Sequence, residues 1–339
     1  MDSETRHPEP ALPKELSEVS VVDIADPTTV RGSLEVLDQD IVNLKEKRFE
    51  AKRVTVPLAD CCLIYQSTNS ALRTQTRVHN DFDACTILGP NSHGSINGAK
   101  LLPNTLMIAA SGASGEIIVD SGYESVALLV PPQILSEHLT LRRVKADFDF
   151  PAKVDTWQPA SEDGSRLFEL GAQIAKTAES NPEIFDNNNW ARCGAQVEFM
   201  DSLFAAIESC DPNESDQADK KGKSYSQIVQ ICEQYTLNLD GRRPYLSELC
   251  SASNVSERTL QYAFHDIMGM SPLTYLHRLR LHRARDELRA AMSDSTSVTD
   301  VALNWGFWHF GEFSRAYKNC FSELPSATLR RDHGDQTSS

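Results

Sequence analysis

A helical pattern that occurs twice in the last hundred residues constrains this chain more than any other feature. Ile228, Ile231, Cys232, Tyr235 and Leu239 mark a first amphipathic helix, ended by Asp240 and Gly241. Tyr245 to Ala252 reads as a short helix with Leu246 and Leu249 inward, and Ser253-Asn254-Val255 as a tight turn. Ser256 is placed to cap a further helix to about Met268, because its hydroxyl can accept an orphan backbone N–H. Leu260, Phe264 and Ile267 share one face of that helix. Ser271-Pro272 opens a long helix, with Ser as cap and Pro at the first helical position. Its buried stripe is expected to hold Leu273, Leu276, Leu279, Leu281, Ala284 and Leu288. Its exposed face is expected to hold Arg278, Arg280, Arg283 and Arg285, with Arg280 pairing to a carboxylate inside the same domain.

The unit then recurs. Ser297 and Asp300 form a capping box, Val301 to Leu303 a short helix, and Gly306 a sharp turn that needs positive φ. Phe310 to Cys320 is the second member, with Phe313, Ala316 and Tyr317 inward, and Leu324 to Arg331 closes the region. A short helix, a tight turn and a second helix make a helix-turn-helix. Trp305, Phe307 and Trp308 read as core and turn packing, Trp308 being the one of the three that the pattern also allows at the surface.

The formal net charge of −15 argues against nucleic acid for the chain as a whole, since affinity there rests on neutralising phosphates. The charge is unevenly spread, however. Residues 223–332 carry 13 Lys and Arg against 12 Asp and Glu, so the acidic excess lies before residue 223. A near-neutral domain can still present a basic face. No run of about 18 apolar residues is present, so no membrane partner is implied, and the polar start of the chain carries no apolar signal core. A cytoplasmic location is expected. The eight cysteines form no C-x-x-C pair, and adjacent Cys61 and Cys62 are poorly placed for a mutual bridge. Reduced, packed thiols are expected.

Before the helical region the pattern is strand-like. From about 50 to 130, RVTVPL, CCLIYQS, ACTILG, TLMIAA, EIIVDSG and ESVALLV are separated by turn formers such as Asn97-Gly98 and Pro103-Asn104. This spacing suggests a small sandwich or barrel, closed by Pro131-Pro132. Two amphipathic helices follow: Leu167, Leu170, Gly171, Ile174 and Ala178 mark one, and Val197, Met200, Leu203, Phe204 and Ile207 the other. Such a pair can pack back on the strands or join a second subunit. The polar run 211–223 reads as a linker, and residues 1–20 as a disordered tail. The fold class is therefore α+β, with a β-sandwich or barrel and flanking helices over 21–210 and an all-α domain over 224–332. His79 and His93 are isolated, so no metal centre is expected, and no glycine pattern implies a cofactor. Arg73, Arg77 and His79 either line a pocket for an anion or are solvated strand edges; the sequence alone leaves the effector site unassigned.

The region from Leu249 through Leu288, together with 297–321, resembles the AraC/XylS-type regulators. Ser256, Leu260, Phe264, Gly269, Ser271-Pro272, Tyr275, Arg280-Leu281, Ala284, Ala302, Gly306-Phe307, Phe313-Ser314-Arg315, Tyr317-Lys318 and Phe321 carry the likeness. It weakens after Phe321, where Ser322, Glu323, Leu324 and Pro325 stand in place of the family's Gly and Ser-Pro, and at Gly311, where a polar residue is common. The strand region more weakly resembles the cupin-like sensory domain that precedes this module in many members.

The resemblance implies a double helix-turn-helix that reads two successive major-groove segments of double-stranded DNA, with the second helix of each unit entering the groove. Arg258, Gln261 and Tyr262 in the first unit, and Phe310, Ser314 and Arg315 in the second, then face base edges; Arg258 suits guanine and Gln261 adenine. Ser256, Arg242 and Lys318 are the phosphate contacts. The implied function is a non-enzymatic transcriptional regulator, an activator in most of the family, with a small-molecule effector, RNA polymerase and a second copy of the chain as partners. The competing expectation is an effector-free regulator whose β-domain only dimerises or binds a protein partner.

Overall fold

Alternation along the strands decides the architecture. The computed structural model describes residues 13, 16–26, 37–45, 49–135, 153–210, 220–239, 241–291 and 296–331. Most of the expected tail and residues 211–219 of the expected linker lie outside them. Twelve described strands run β1 Ser20–Ile24, β2 Leu37–Asn43, β3 Ala51–Pro57, β4 Cys62–Thr68, β5 Leu72–Val78, β6 Asp83–Leu88, β7 Gly94–Ile96, β8 Ala99–Leu101, β9 Leu106–Ala109, β10 Ser114–Val119, β11 Tyr123–Val130 and β12 Asp155–Trp157. They form a seven-stranded sheet, in the order β1-β3-β4-β11-β6-β9-β12, and a five-stranded sheet, β2-β5-β10-β7-β8; all pairings among the described strands are antiparallel. The two sheets face each other in a sandwich. Strands β1, β2 and β12 fall outside the 50–130 span expected from sequence. Leu16, within the expected tail, is buried against Cys62, Ile64 and Leu129.

The outer face of the seven-stranded sheet is covered by helices α1 Ser161–Ser180, α2 Glu183–Asp186 and α3 Asn189–Glu208. Val54, Val56, Leu63, Val126 and Leu128 pack there against Leu167, Phe168, Ile174, Phe199, Leu203 and Phe204, so the helix pair does pack back on the strands. Val197, expected inward, is 57% exposed; Phe199 takes the buried position instead. Gly171 sets the approach of α1, since a Cβ there would lie 2.5 Å from Val126 Cγ1 and 2.9 Å from the Phe199 ring.

The remaining helices are α4 Lys220–Leu237, α5 Leu246–Ser253, α6 Glu257–Met268, α7 Pro272–Ala290, α8 Val298–Asn304, α9 Phe310–Phe321 and α10 Pro325–Arg331. Helix α4 already begins at Lys220, inside the run read as a linker. Its inward stripe is Ile228, Val229 and Cys232, which leaves Ile231 exposed. Leu273 is likewise exposed in the first turn of α7, where the buried stripe begins at Tyr275 and Leu276. All eight cysteines are unbridged, and burial pushes the Cys61, Cys62 and Cys85 thiols well up.

The outer face of the five-stranded sheet meets α4 and α7. Val42, Leu44, Ala71 and Ile118 pack against the core that holds Ile228, Val229 and Cys232. The α7 arginines do not form the exposed face expected of them. Arg285 is buried and pairs with Asp26 and, at 2.8 Å, Glu323. Arg283 is clasped by Asp40, its Nη1 donating to Oδ1 at 2.7 Å. Arg280 is buried too, but instead of a carboxylate it finds the Trp305 carbonyl at 3.2 Å and the face of Phe307. Their burial follows from α7 being central: it touches helices on one side and β2 on the other.

His282 sits in this seam and accepts the Asn43 backbone N–H at Nε2, 3.3 Å away. Burial, with Arg285 and Arg283 alongside, lowers its pKa to about 3, against the raising influence of Asp40 and Asp26. The folded state therefore refuses a proton that the unfolded chain takes up below pH 6.5, so this contribution to stability is lost as pH falls from there toward 3. Between pH 7 and 5 the single site should cost about 2 kcal/mol. Denaturant unfolding of His282→Gln should show a loss smaller by that amount than wild type. Gly171→Leu should lower stability by about 3 kcal/mol, because α1 has no room to stay seated; an unchanged urea midpoint would contradict this packing.

Candidate nucleic-acid interface and cavity

Caps and turns position the first helical pair. Tyr245 N donates to Glu248 Oε2 at 2.8 Å at the start of α5, and Asn254 ends that helix in the left-handed region at φ 53°. Ser256 then caps α6, its hydroxyl accepting the Thr259 N–H at 3.2 Å. Leu260, Ala263, Phe264 and Ile267 bury one face of α6. The opposite face carries Arg258, exposed, Gln261, half-buried, and Tyr262, 51% exposed. Arg258 Nη2 donates to the Tyr262 hydroxyl at 3.1 Å and its guanidinium lies over the Tyr262 ring, 5.3 Å from the centroid. The two side chains are thus in contact one helical turn apart.

The second pair follows the same logic with different caps. Ser297 and Asp300 exchange their bonds as a capping box, and Gly306 turns at φ 74°, where a Cβ would meet Arg242 and Arg280 at 3.1 Å. Helix α9 has no side-chain cap at His309. Its seat is aromatic: Phe307, Phe313, Tyr317 and Phe321 stack in succession at 4.8, 5.7 and 4.6 Å. Phe310 and Arg315 are exposed and Ser314 half-exposed on the other side, beside Trp308, which is 66% exposed. Ala316 is only half-buried.

Of the expected phosphate contacts, Ser256 and Lys318 are exposed, while Arg242 is held at 2.9 Å by Glu248. That bond, with the Tyr245 N–H, keeps the Glu248 carboxyl below its ordinary range. Glu287, which sequence reasoning passed over, ties the units together: it accepts the Trp305 indole N–H at 2.6 Å and the Asn304 amide at 3.0 Å. A carboxylate placed between two leucine-stripe positions of α7 carries no signal for this in the sequence. Helix α7, 19 residues long, spans about 28 Å and joins the two pairs.

A cavity of about 140 Å³ lies between the two sheets, close to the ~150 Å³ that admits a benzene ring. Ile41, Phe49, Leu72 and Val119 line an apolar end, and Thr74, Thr76, Thr86 and Ser125 add hydroxyls. Arg53 is the buried cation in the wall, its Nη2 donating to Gln39 Oε1 at 3.0 Å; the Gln66 amide oxygen, turned toward it, accepts from Nε at 3.0 Å. Burial lowers the Arg53 pKa to about 10. The cluster of Arg73, Arg77 and His79 does not form. Arg73 lies on the outer face, among acids of the seam, and His79 is half-exposed beside Asp81. Among the described residues no group of His, Cys, Asp and Glu is arranged to hold a metal. No helix there is long and apolar enough to cross a membrane.

Two short helix–turn–helix pairs on one long helix define a nucleic-acid-binding class of domain, and residues 249–331 match the family described as Helix-turn-helix domain. A curated relative, "XylDLEGF operon transcriptional activator 1" of Pseudomonas putida, is 35% identical over 126 residues, 37% of this chain and 37% of that protein. "HTH-type transcriptional activator RhaS" of Yersinia pestis is 32% identical over 127 residues, 38% of this chain and 43% of that protein. The chain thus spans under half the length of these relatives. A crystal structure of a probable AraC family transcriptional regulator from Rhodopseudomonas palustris is 34% identical, covers 31% of this chain and 96% of its own, and has a TM-score of 0.28. Over its C-terminal region this chain carries a helix-turn-helix domain similar in sequence to those of these transcriptional activators.

Glu287→Ala should loosen α8 from α7 and cost about 1–2 kcal/mol, since the buried part of two donors loses its acceptor. In an NMR spectrum the Trp305 indole signal should move; an unmoved signal would show that Glu287 does not hold it.

Proposed function

We propose that the chain is a sequence-specific DNA-binding transcriptional regulator, acting as an activator, with no enzymatic role. Helices α6 and α9 enter successive major-groove segments on one face of the duplex. Arg258, Gln261 and Tyr262 read the first segment, and Phe310, Ser314 and Arg315 the second. Ser256 and Lys318 contact phosphates; Arg242 joins them by exchanging Glu248 for a phosphate. The observation that carries this reading is that both outward helix faces stand clear of the β-domain, which meets the module on α4 and α7 instead. The Arg258–Tyr262 pair supports it further, since a guanidinium already braced loses less freedom on binding guanine.

The cavity favours an effector-responsive regulator over an effector-free one. Its size and lining suit a small molecule of about one ring, with a polar group toward Arg53 and Gln39. The regions divide as a β-domain with its helices to 210, a connecting stretch, and the DNA-binding module to about 332. Trp190, 88% exposed, and Val197 on α3 support pairing with a second copy of the chain. RNA polymerase is the further partner of an activator, and the cytoplasm the place of action.

The test is genome-wide mapping of bound sites, followed by binding to one recovered site. Arg258→Ala should weaken specific binding by about 1–3 kcal/mol and spare scrambled DNA. Log affinity should fall steeply with log salt. Equal losses on both DNAs, or a flat salt plot, would reject the reading.

A further inference from the structure

Strand parity places two sets of side chains on opposite faces of one layer. In the five-stranded sheet, Ile41, Thr74 and Ile117 pair across β2, β5 and β10 in one rung. All three line the cavity. The next rung is Val42, Arg73 and Ile118, which points the other way, into the seam with α4 and α7. The rungs alternate again with Gln39, Thr76 and Gly115 at the cavity and Asp40, Gln75 and Glu116 on the outer side.

The outer rungs carry the charges that fasten the helical module. Arg73 Nη2 reaches Glu116 at 3.1 Å in its own sheet and Glu233 of α4 at 2.5 Å. Glu233 also accepts the Tyr275 hydroxyl of α7, and Ser226 of α4 donates to Glu116 at 3.0 Å. Asp40 clasps Arg283 of α7 and lies 3.7 Å from Arg73. Arg73, Glu116 and Glu233 are all buried. Buried ion pairs tolerate little displacement, because separating them leaves charge uncompensated in a poor dielectric. Nothing but one thickness of backbone separates these pairs from the cavity.

We infer that this wall is the coupling element between the cavity and the DNA-binding module. A ligand seated against Ile41, Thr74, Thr76 and Ile117 resets the positions of Asp40, Arg73 and Glu116 and so the docking of α4 and α7. Coupling requires only that the ligand fit one docking geometry better than the other. Because α7 carries both reading helices, a change in its seat changes how they are presented together. This rests on the reading of the cavity as an effector site.

The test needs no knowledge of the effector. The cavity is filled from the wall by Thr76→Phe and from the facing sheet by the smaller Ala109→Leu, each checked for folding by circular dichroism. Hydrogen–deuterium exchange is measured on the full-length chain without DNA. Amides of 220–237 and 272–290 should change their exchange by about threefold or more in either folded variant. The change should vanish when Arg73→Met, Glu116→Gln and Glu233→Gln are combined with the filling substitution. Unchanged exchange in those helices, or the same change in the neutralised background, overturns the coupling. DNA affinity is read in parallel. Absent DNA binding with an intact exchange response would sink the regulator reading and leave the coupling standing.

Discussion

One guanidinium holds the two halves of this molecule in register. Arg73 is 4% exposed and is shared between Glu116, beside it in the sheet, and Glu233, which arrives from α4. An arginine at such depth is tolerated only where acids meet it in good geometry. Here Glu116 and Asp40 belong to the same sheet and Glu233 to the helices, so the full set of partners assembles only when the helices are seated. Tyr275 completes the arrangement from α7, and the apolar contacts of Val42 and Ile118 surround it. The seam is therefore specific as well as adhesive: apolar contact alone would allow sliding, whereas the paired charges select one position.

How much of this was legible depended on the sequence distance over which each feature is decided. The helix-turn-helix pairs are local. A serine cap, the tight turn at Asn254 and a positive-φ Gly306 are fixed by neighbours a few residues away, and the sequence displayed all three, though not the left-handed backbone that makes the Asn254 turn. The aromatic seat of α9 was legible for the same reason, from the spacing of Phe313 and Tyr317. The β-domain was legible as a class but not in extent. Strand β1 pairs with β3 and β12 with β9, across tens of residues, and neither is a long apolar run.

The α7 arginines mark the limit more sharply. Their spacing looked like a solvated face because most charged helical residues are solvated. Only the placement of Asp26 and Asp40, more than two hundred residues earlier, turns that face into a seam. Arg73 was weighed as a pocket residue or an edge, and it is neither, since its partner Glu233 lies in another domain. Arg53, the cation that does line the cavity, stood in a strand with no feature to distinguish it. Residues that answer to distant partners carry no local mark, and the candidate site on the β-domain consists mostly of these. The outward faces of α6 and α9, by contrast, follow from helical period alone.

The parity of the five-stranded sheet has a consequence for how such a chain can change. Point substitutions can retune the cavity side at positions 39, 41, 74 and 76 and leave 40, 42 and 73 in place. A single-residue insertion or deletion within β5 cannot, because slipping by one exchanges the faces and drives a charged arginine into the cavity while turning threonines toward the helices. Descendants of this sequence should therefore reshape the cavity by substitution on alternate positions, with length variation in this sheet confined to the turns between strands.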